Sequence, residues 1–249
     1  RGVPDLDDLQ LPDSLHTVTQ YRVGMVLVTG PTGSGKSSTL AALVSDINRT
    51  RKQHVVTIED PIEFVFQGQR CNVTQREVGT HTNTFYNALR AALREDPDVI
   101  MVAELRDLET IRTAIVAAET GHLVLGTLHT RDAASTVNRL LDVFPPGEVD
   151  QVRTMVAASL RTVISQRLLP RKGGGSRVPA YEVLNVTPAV AKQIRDGRTH
   201  QLPSLMQIGR KQGMIDLDTC LTELLEKGLI TNETARDNAK NPARFGGDV

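Results

Sequence analysis

Along the chain, short unbroken apolar runs alternate with longer stretches in which apolar residues recur at helical spacing. "MVLVTG" (25–30) is apolar on both faces of an extended chain, so it predicts a strand buried on both sides and ending in a turn. "KSSTLAALVSDINRT" (36–50) has the spacing of a helix, and "HVVTIED" (54–60) predicts a second buried strand that ends in acids. "IEFVF" and "CNVTQ", on either side of Gln67-Gly68, predict a hairpin with the glycine in its turn. "NTFYNALRAALRE" predicts an amphipathic helix stopped by Pro97, and "DVIMVAE" a third buried strand. "LETIRTAIVAAETG" predicts a helix closed by Gly121, and "HLVLGTLHT" a fourth strand. Buried strands alternating with helices predict an α/β fold with a parallel core sheet covered on both faces.

Near residue 145 the pattern changes. "PPGEVDQVRTMVAASLRTVISQRL" predicts mostly one long helix after its proline pair, and "RKGGGSRVPAYEVL" a glycine loop leading into a strand. Short helices are expected over 188–197, 203–211, 217–227 and 232–240. Residues 1–20 are acidic and carry two prolines, which predicts a linker with a short helix. The expected plan is that linker, an α/β domain over 21–170 and a small, mostly helical C-terminal subdomain over 171–249.

Composition narrows the function classes. At 249 residues with 39% hydrophobic residues, the chain can bury a sizeable core and does not read as disordered. Its formal net charge of zero argues against a dedicated nucleic-acid binder, whose domain would be basic. The longest apolar runs fall far short of the ~20 residues that span a bilayer. Cys71 and Cys220 are the two cysteines and form no CxxC pair, so neither a disulfide framework nor a cysteine zinc site is expected. The reading is a cytoplasmic protein, and a first residue of Arg1 leads us to expect further sequence upstream.

The chemistry begins at the end of the first strand. Gly30, Pro31, Thr32, Gly33, Ser34, Gly35, Lys36 and Ser37, with Ser38 behind them, match G-x-x-x-x-G-K-[ST] in full. Between a strand and a helix, such glycines let backbone N–H groups close around a phosphate. Lys36 would then reach the β- and γ-phosphates of ATP, and the Ser37 hydroxyl would ligate Mg²⁺. "DPDVIMVAELRD" is a second apolar strand that emerges into carboxylates. Glu104, just past the apolar run, is placed to act on the attacking water; the bland reading makes it a strand-end acid paired with Arg106. "TIEDPIEF" gathers Glu59, Asp60 and Glu63, either beside a cation, a polarised water or an arginine, or merely in a solvated turn begun by Asp60-Pro61. His122 and His129 bracket "LVLGTL". A histidine at such a position is ordinarily a packing residue, but His129 lies at the ligand end of a parallel strand, where it could instead sense a γ-phosphate.

In order and spacing, "GPTGSGKS", "TIEDPIEF", "DPDVIMVAELRDLETI" and "AAETGHLVLGTLHT" resemble the Walker A, aspartate, Walker B and histidine boxes of the secretion-type ATPases of type II and type IV systems. The likeness is greatest to the branch that retracts type IV pili in twitching motility. It is tight over roughly 23–170 and looser through "GMIDLDTCLTELLEKGLIT" to "NPARF". The resemblance implies a RecA-like P-loop domain working as a hexameric homo-oligomer, with ATP and Mg²⁺ as ligands. It also implies an inner-membrane pilus platform protein as partner at the cytoplasmic face. Carried over, it makes Glu104 the catalytic carboxylate, Glu63 the supporting acid near Mg²⁺, and His122 and His129 nucleotide-sensing histidines. Ala103 stands where that family has glycine before the Walker B glutamate, and "AVAKQIR" only partly resembles its retraction segment. The N-terminal PAS-like domain of that family has no counterpart in these residues. With two cysteines the four-cysteine zinc element of assembly and type II ATPases cannot form, which favours retraction. The competing readings are a type II or related secretion motor and a nucleotide-binding regulator of a paralogous motor.

Overall fold

The structure, a computed structural model, describes residues 2–12 and 14–246. Of the linker expected over 1–20, residues 1 and 13 lie outside those described, as do 247–249 at the other end. A one-turn helix, α1 (Leu15–Val18), precedes the alternating body of β1 (Gly24–Thr29), α2 (Lys36–Thr50), β2 (His54–Glu59) and β3 (Asn72–Glu77). The chain continues through α3 (Phe85–Ala92), β4 (Val99–Val102), α4 (Leu108–Glu119), β5 (Leu123–Leu128), α5 (Ala133–Asp142) and α6 (Val149–Ser159). Next come β6 (Leu160–Pro170) and β7 (Arg177–Asn185), followed by α7 (Pro188–Arg195), α8 (Leu202–Ile208), α9 (Leu217–Glu226) and α10 (Asn232–Asn238).

The strands form one sheet in the order β3-β2-β4-β5-β1-β6-β7. Neighbours are parallel throughout except for the antiparallel pair β6 and β7. Strand periodicity divides the core between the two faces. Met25, Leu27, Ile100, Val102 and Val124 point to the face covered by α3 to α8. Val26, Val28, Val99, Met101 and Leu125 point to the face covered by α1 and α2. These strands therefore read as continuous apolar runs because both faces are buried. Asp107 and Asp132 start α4 and α5 by accepting the backbone N–H of Thr110 and Ser135.

Two expectations fail locally. The expected hairpin does not form. Asn72–Glu77 pairs in parallel with β2, while 62–66 runs beside it outside the ladder. The Gln75 side chain supplies what a partner strand would, accepting from Phe66 N at 2.8 Å and donating to Phe64 O at 2.9 Å. The long helix expected from Pro145 ends at Ser159, and the chain enters β6 directly. Apolar residues at 160, 163, 164, 168 and 169 satisfy a helical period, but the β-branched Val163 and Ile164 fill the sheet beside β1. The short C-terminal helices form as expected. Of these, α7 and α8 pack on the main core, and α9 and α10 close a third cluster with Leu169, Val178 and Phe245.

A buried carboxylate fastens this end of the chain. Glu182 of β7, 2% exposed, accepts from Lys240 Nζ at 2.5 Å and from Ala133 N at 2.8 Å. Asp218 accepts the backbone N–H of Lys240 and Asn241 at 2.7 and 2.9 Å. Lys240→Met should cost about 3 kcal/mol, because it leaves a buried carboxylate with one neutral donor. Chemical denaturation measures this, and adding Glu182→Gln should recover part of the loss.

Candidate functional site

Parallel pairing brings the C-terminal ends of β1, β2, β4 and β5 to one edge of the sheet. β1 runs into the glycine loop, with Gly30 at φ 145 and Gly35 at φ 90, and α2 starts at once with Lys36. A Cβ on Gly30 would lie 2.2 Å from the carbonyl oxygen of Gln166, and one on Gly35 2.7 Å from its Nε2. Neither position admits a side chain, so the loop keeps the backbone form that binds anions at a helix start.

Lys36 is 9% exposed, and its Nζ donates to the carbonyls of Gly30 and Pro31, each at 3.0 Å. Burial pulls the Lys36 pKa below the ordinary lysine value, an effect the charge of Glu104 partly offsets. From β4, the Glu104 Oε1 lies 3.1 Å from His129 Nε2 and its Oε2 lies 2.5 Å from Arg106 Nη2. Burial pushes the Glu104 carboxyl up, but its contacts with Arg106 and His129 prevail and hold it below the usual carboxylate range. His129 sits at the end of β5 with Nδ1 3.5 Å from Lys36 Nζ, so its ring joins the lysine to the glutamate. Those contacts suit a ring with its proton on Nε2 and a free Nδ1.

The acids after β2 have three different surroundings. Glu59, 5% exposed, accepts from Thr57 Oγ1 at 2.7 Å and Gln75 Nε2 at 3.1 Å. Its burial raises its pKa against those bonds. Glu63 accepts from Ser37 Oγ at 3.0 Å, while Asp60 is exposed and acts electrostatically on Arg106. Lys36, Ser37, Glu59, Glu63, Glu104 and His129 all line one cavity of about 400 Å³. Ser38 lines it as well.

The fold thus brings the glycine loop, Glu63, Glu104 and His129 together. Glu104 pairs with Arg106 and also faces the cavity at 18% exposure. His122 is not among them. It precedes the first residue of β5, about 20 Å of strand from His129, and its Nδ1 lies 3.1 Å from Ala117 O. Two residues at the site escaped the sequence reading. Arg106 entered only as a surface partner, and Gln166 lay inside a segment read as helix, where nothing local marks it.

The family described as Type II/IV secretion system protein matches residues 5–236. The chain belongs to that family. Among other members of this secretion-system family, the type IV pilus retraction ATPase PilT of Pseudomonas aeruginosa is 52% identical over 96% of this chain and 70% of its own length. A twitching motility protein of Neisseria gonorrhoeae is 52% identical over 96% of this chain and 64% of its own length. A crystal structure of the pilus retraction motor PilT with bound ADP superposes with a TM-score of 0.91 at 48% identity, over 97% of this chain and 68% of that one. The fold is therefore the RecA-like α/β fold of the family's ATPases.

Proposed function

We propose that this chain hydrolyses ATP at the cavity under the glycine loop and that the hydrolysis drives type IV pilus retraction. The observation that carries the chemistry is the row Lys36–His129–Glu104, which sets a cation, an imidazole and a carboxylate across one cavity. In phosphoryl transfer the protein's work is positioning and charge stabilisation. Gly30 to Ser38 hold the phosphates, Lys36 moves from its loop carbonyls to the β- and γ-oxygens, and Glu104 orients the attacking water. His129 fixes Glu104 and gives the γ-phosphate a neighbour linked to both groups. Among the described residues no group of three His, Cys, Asp or Glu could hold a metal alone. A hydroxyl beside a carboxylate does fit Mg²⁺, which takes few protein ligands and completes its shell with phosphate oxygens and water. Ser37 would hold Mg²⁺ directly and Glu63 through water, and the ion would neutralise phosphate charge.

Retraction is supported by 52% identity to PilT over 96% of the chain, against 47% over 59% for a type II secretion protein E of Aeromonas hydrophila. The working form is a homo-oligomeric ring, taken to be a hexamer, bearing on an inner-membrane pilus platform protein at the cytoplasmic face. Residues 21–170 form its ATPase domain and 171–249 its smaller C-terminal part. His122, at the opposite end of β5, would meet only a nucleotide held by a neighbouring copy. No helix of the described residues is long and apolar enough to cross a membrane.

The test joins phosphate release by the purified protein to twitching of a deletion strain. Turnover together with hyperpiliated, non-twitching cells is expected; a secretion defect with normal pili would point to a type II motor. ATP binding without phosphate release would point to a regulator instead. Glu63→Gln should raise the Mg²⁺ concentration for half-maximal turnover roughly tenfold, the scale seen when a residue supporting a metal ligand is removed. A Mg²⁺ titration of phosphate release reads this directly.

A further inference from the structure

We propose that Gln166 is the positioning residue of the phosphate loop, holding it in its anion-binding form from the neighbouring strand. Gln166 lies on β6, next to β1 in the sheet, and is 4% exposed. Its Nε2 donates to the carbonyl of Ser34 at 2.8 Å, and its Oε1 accepts from Thr39 Oγ1 at 2.7 Å. One amide therefore ties the loop to the first turns of the helix that follows it. The same residue occupies the space where both bracketing glycines would carry a Cβ, with its carbonyl at Gly30 and its amide nitrogen at Gly35.

The chemistry explains why an amide suits this place. A loop that directs its N–H groups at an anion presents carbonyls to the protein behind it, and each buried carbonyl needs a donor. Lys36 supplies the donor for Gly30 and Pro31 and must leave them to reach a phosphate. Gln166 supplies the donor for Ser34, and nothing in phosphate binding asks it to move. An apolar residue of equal length would fill the space but leave the Ser34 carbonyl and the Thr39 hydroxyl without this partner. The following residue, Arg167, donates from Nη1 to Asn238 O at 3.1 Å, so the strand that braces the loop also holds the end of α10.

This inference rests on the nucleotide site proposed above, and the experiment separates the two. The parent, Gln166→Met and a control, Thr162→Val, are titrated with a fluorescent ADP analogue and melted in parallel. Thr162 is also a buried polar residue of β6, bonded to Asn185 Oδ1 at 2.9 Å away from the cavity, so its replacement reports stability alone. Gln166→Met should weaken ADP binding about tenfold, the scale of one or two buried hydrogen bonds. Thr162→Val should bind as the parent does. A change below threefold in Gln166→Met, with a melting shift like that of the control, overturns the positioning role. Should Gln166→Met not fold, Thr39→Val, which frees the amide from its anchor, carries the same threefold criterion. A parent that binds no ADP refutes the nucleotide site itself.

Discussion

Glu104→Gln is expected to leave ATP affinity near that of the parent while lowering turnover by about 10²–10⁴-fold, the range associated with losing a positioned general base. The amide keeps the size of the side chain and can still accept from His129 Nε2, now 3.1 Å from Oε1, so the cavity should keep its shape. What disappears is the negative charge between His129 and Arg106. Because Arg106 and His129 hold Glu104 below the usual carboxylate range against its burial, it is ionised at neutral pH and only weakly basic. Such a carboxylate suits orienting water and accepting its proton late, once the phosphoryl group has begun to leave. The sign of the pH effect follows. Activity requires the ionised form, so any acid limb due to Glu104 lies below the ordinary carboxylate range. Arg106→Ala removes a stabiliser of the charged form, raises that pKa and moves the limb to higher pH. Single-turnover phosphate release over a pH series, with nucleotide binding measured in parallel, checks both variants. Unchanged turnover in Glu104→Gln would remove Glu104 from the chemistry.

Much of this site was legible because each part sits where a parallel strand ends. The apolar runs "MVLVTG", "VIMVA" and "LVLGTL" place the glycine loop that leads to Lys36, Glu104 and His129 just past three strand ends, and parallel pairing puts those ends on one edge. The same reasoning singles out His129, at the ligand end of β5, and only the family resemblance makes His122 a nucleotide-sensing residue, although a whole strand separates the two. The misread segments have a common physical cause. In "LRTVISQRL" a helical period and a buried strand call for nearly the same residues, and only pairing with β1 and β7 decides between them. Reading that segment as helix hid Gln166, whose partners Ser34 and Thr39 are more than a hundred residues distant in sequence. The hairpin failed for a related reason, since the side chain of Gln75 satisfies backbone groups that a local pattern assigns to a second strand.

Lys36→Met should abolish measurable turnover and weaken nucleotide binding by about 100-fold or more, the scale of removing a charge-assisted hydrogen bond from a poorly solvated site. Stability should move little by comparison. The ammonium is held at 9% exposure, where burial disfavours its charge, and that penalty offsets the two 3.0 Å bonds it makes to Gly30 and Pro31. Melting of Lys36→Met near the parent temperature, together with ADP binding weakened on that scale, would separate the lysine's role in binding the ligand from any role in the fold. The pH dependence supplies a second reading. Only protonated Lys36 pairs with phosphate, so affinity falls as pH rises through its pKa, and that pKa lies below the ordinary lysine value of 10.5. The alkaline limb should thus begin earlier than a solvated lysine would give. In Lys36→Arg that limb should vanish, because guanidinium does not titrate there, while the longer planar head fits the loop less well and weakens binding throughout. An alkaline limb that persists in Lys36→Arg would assign it to another group and leave the lysine as a structural plug of its own loop.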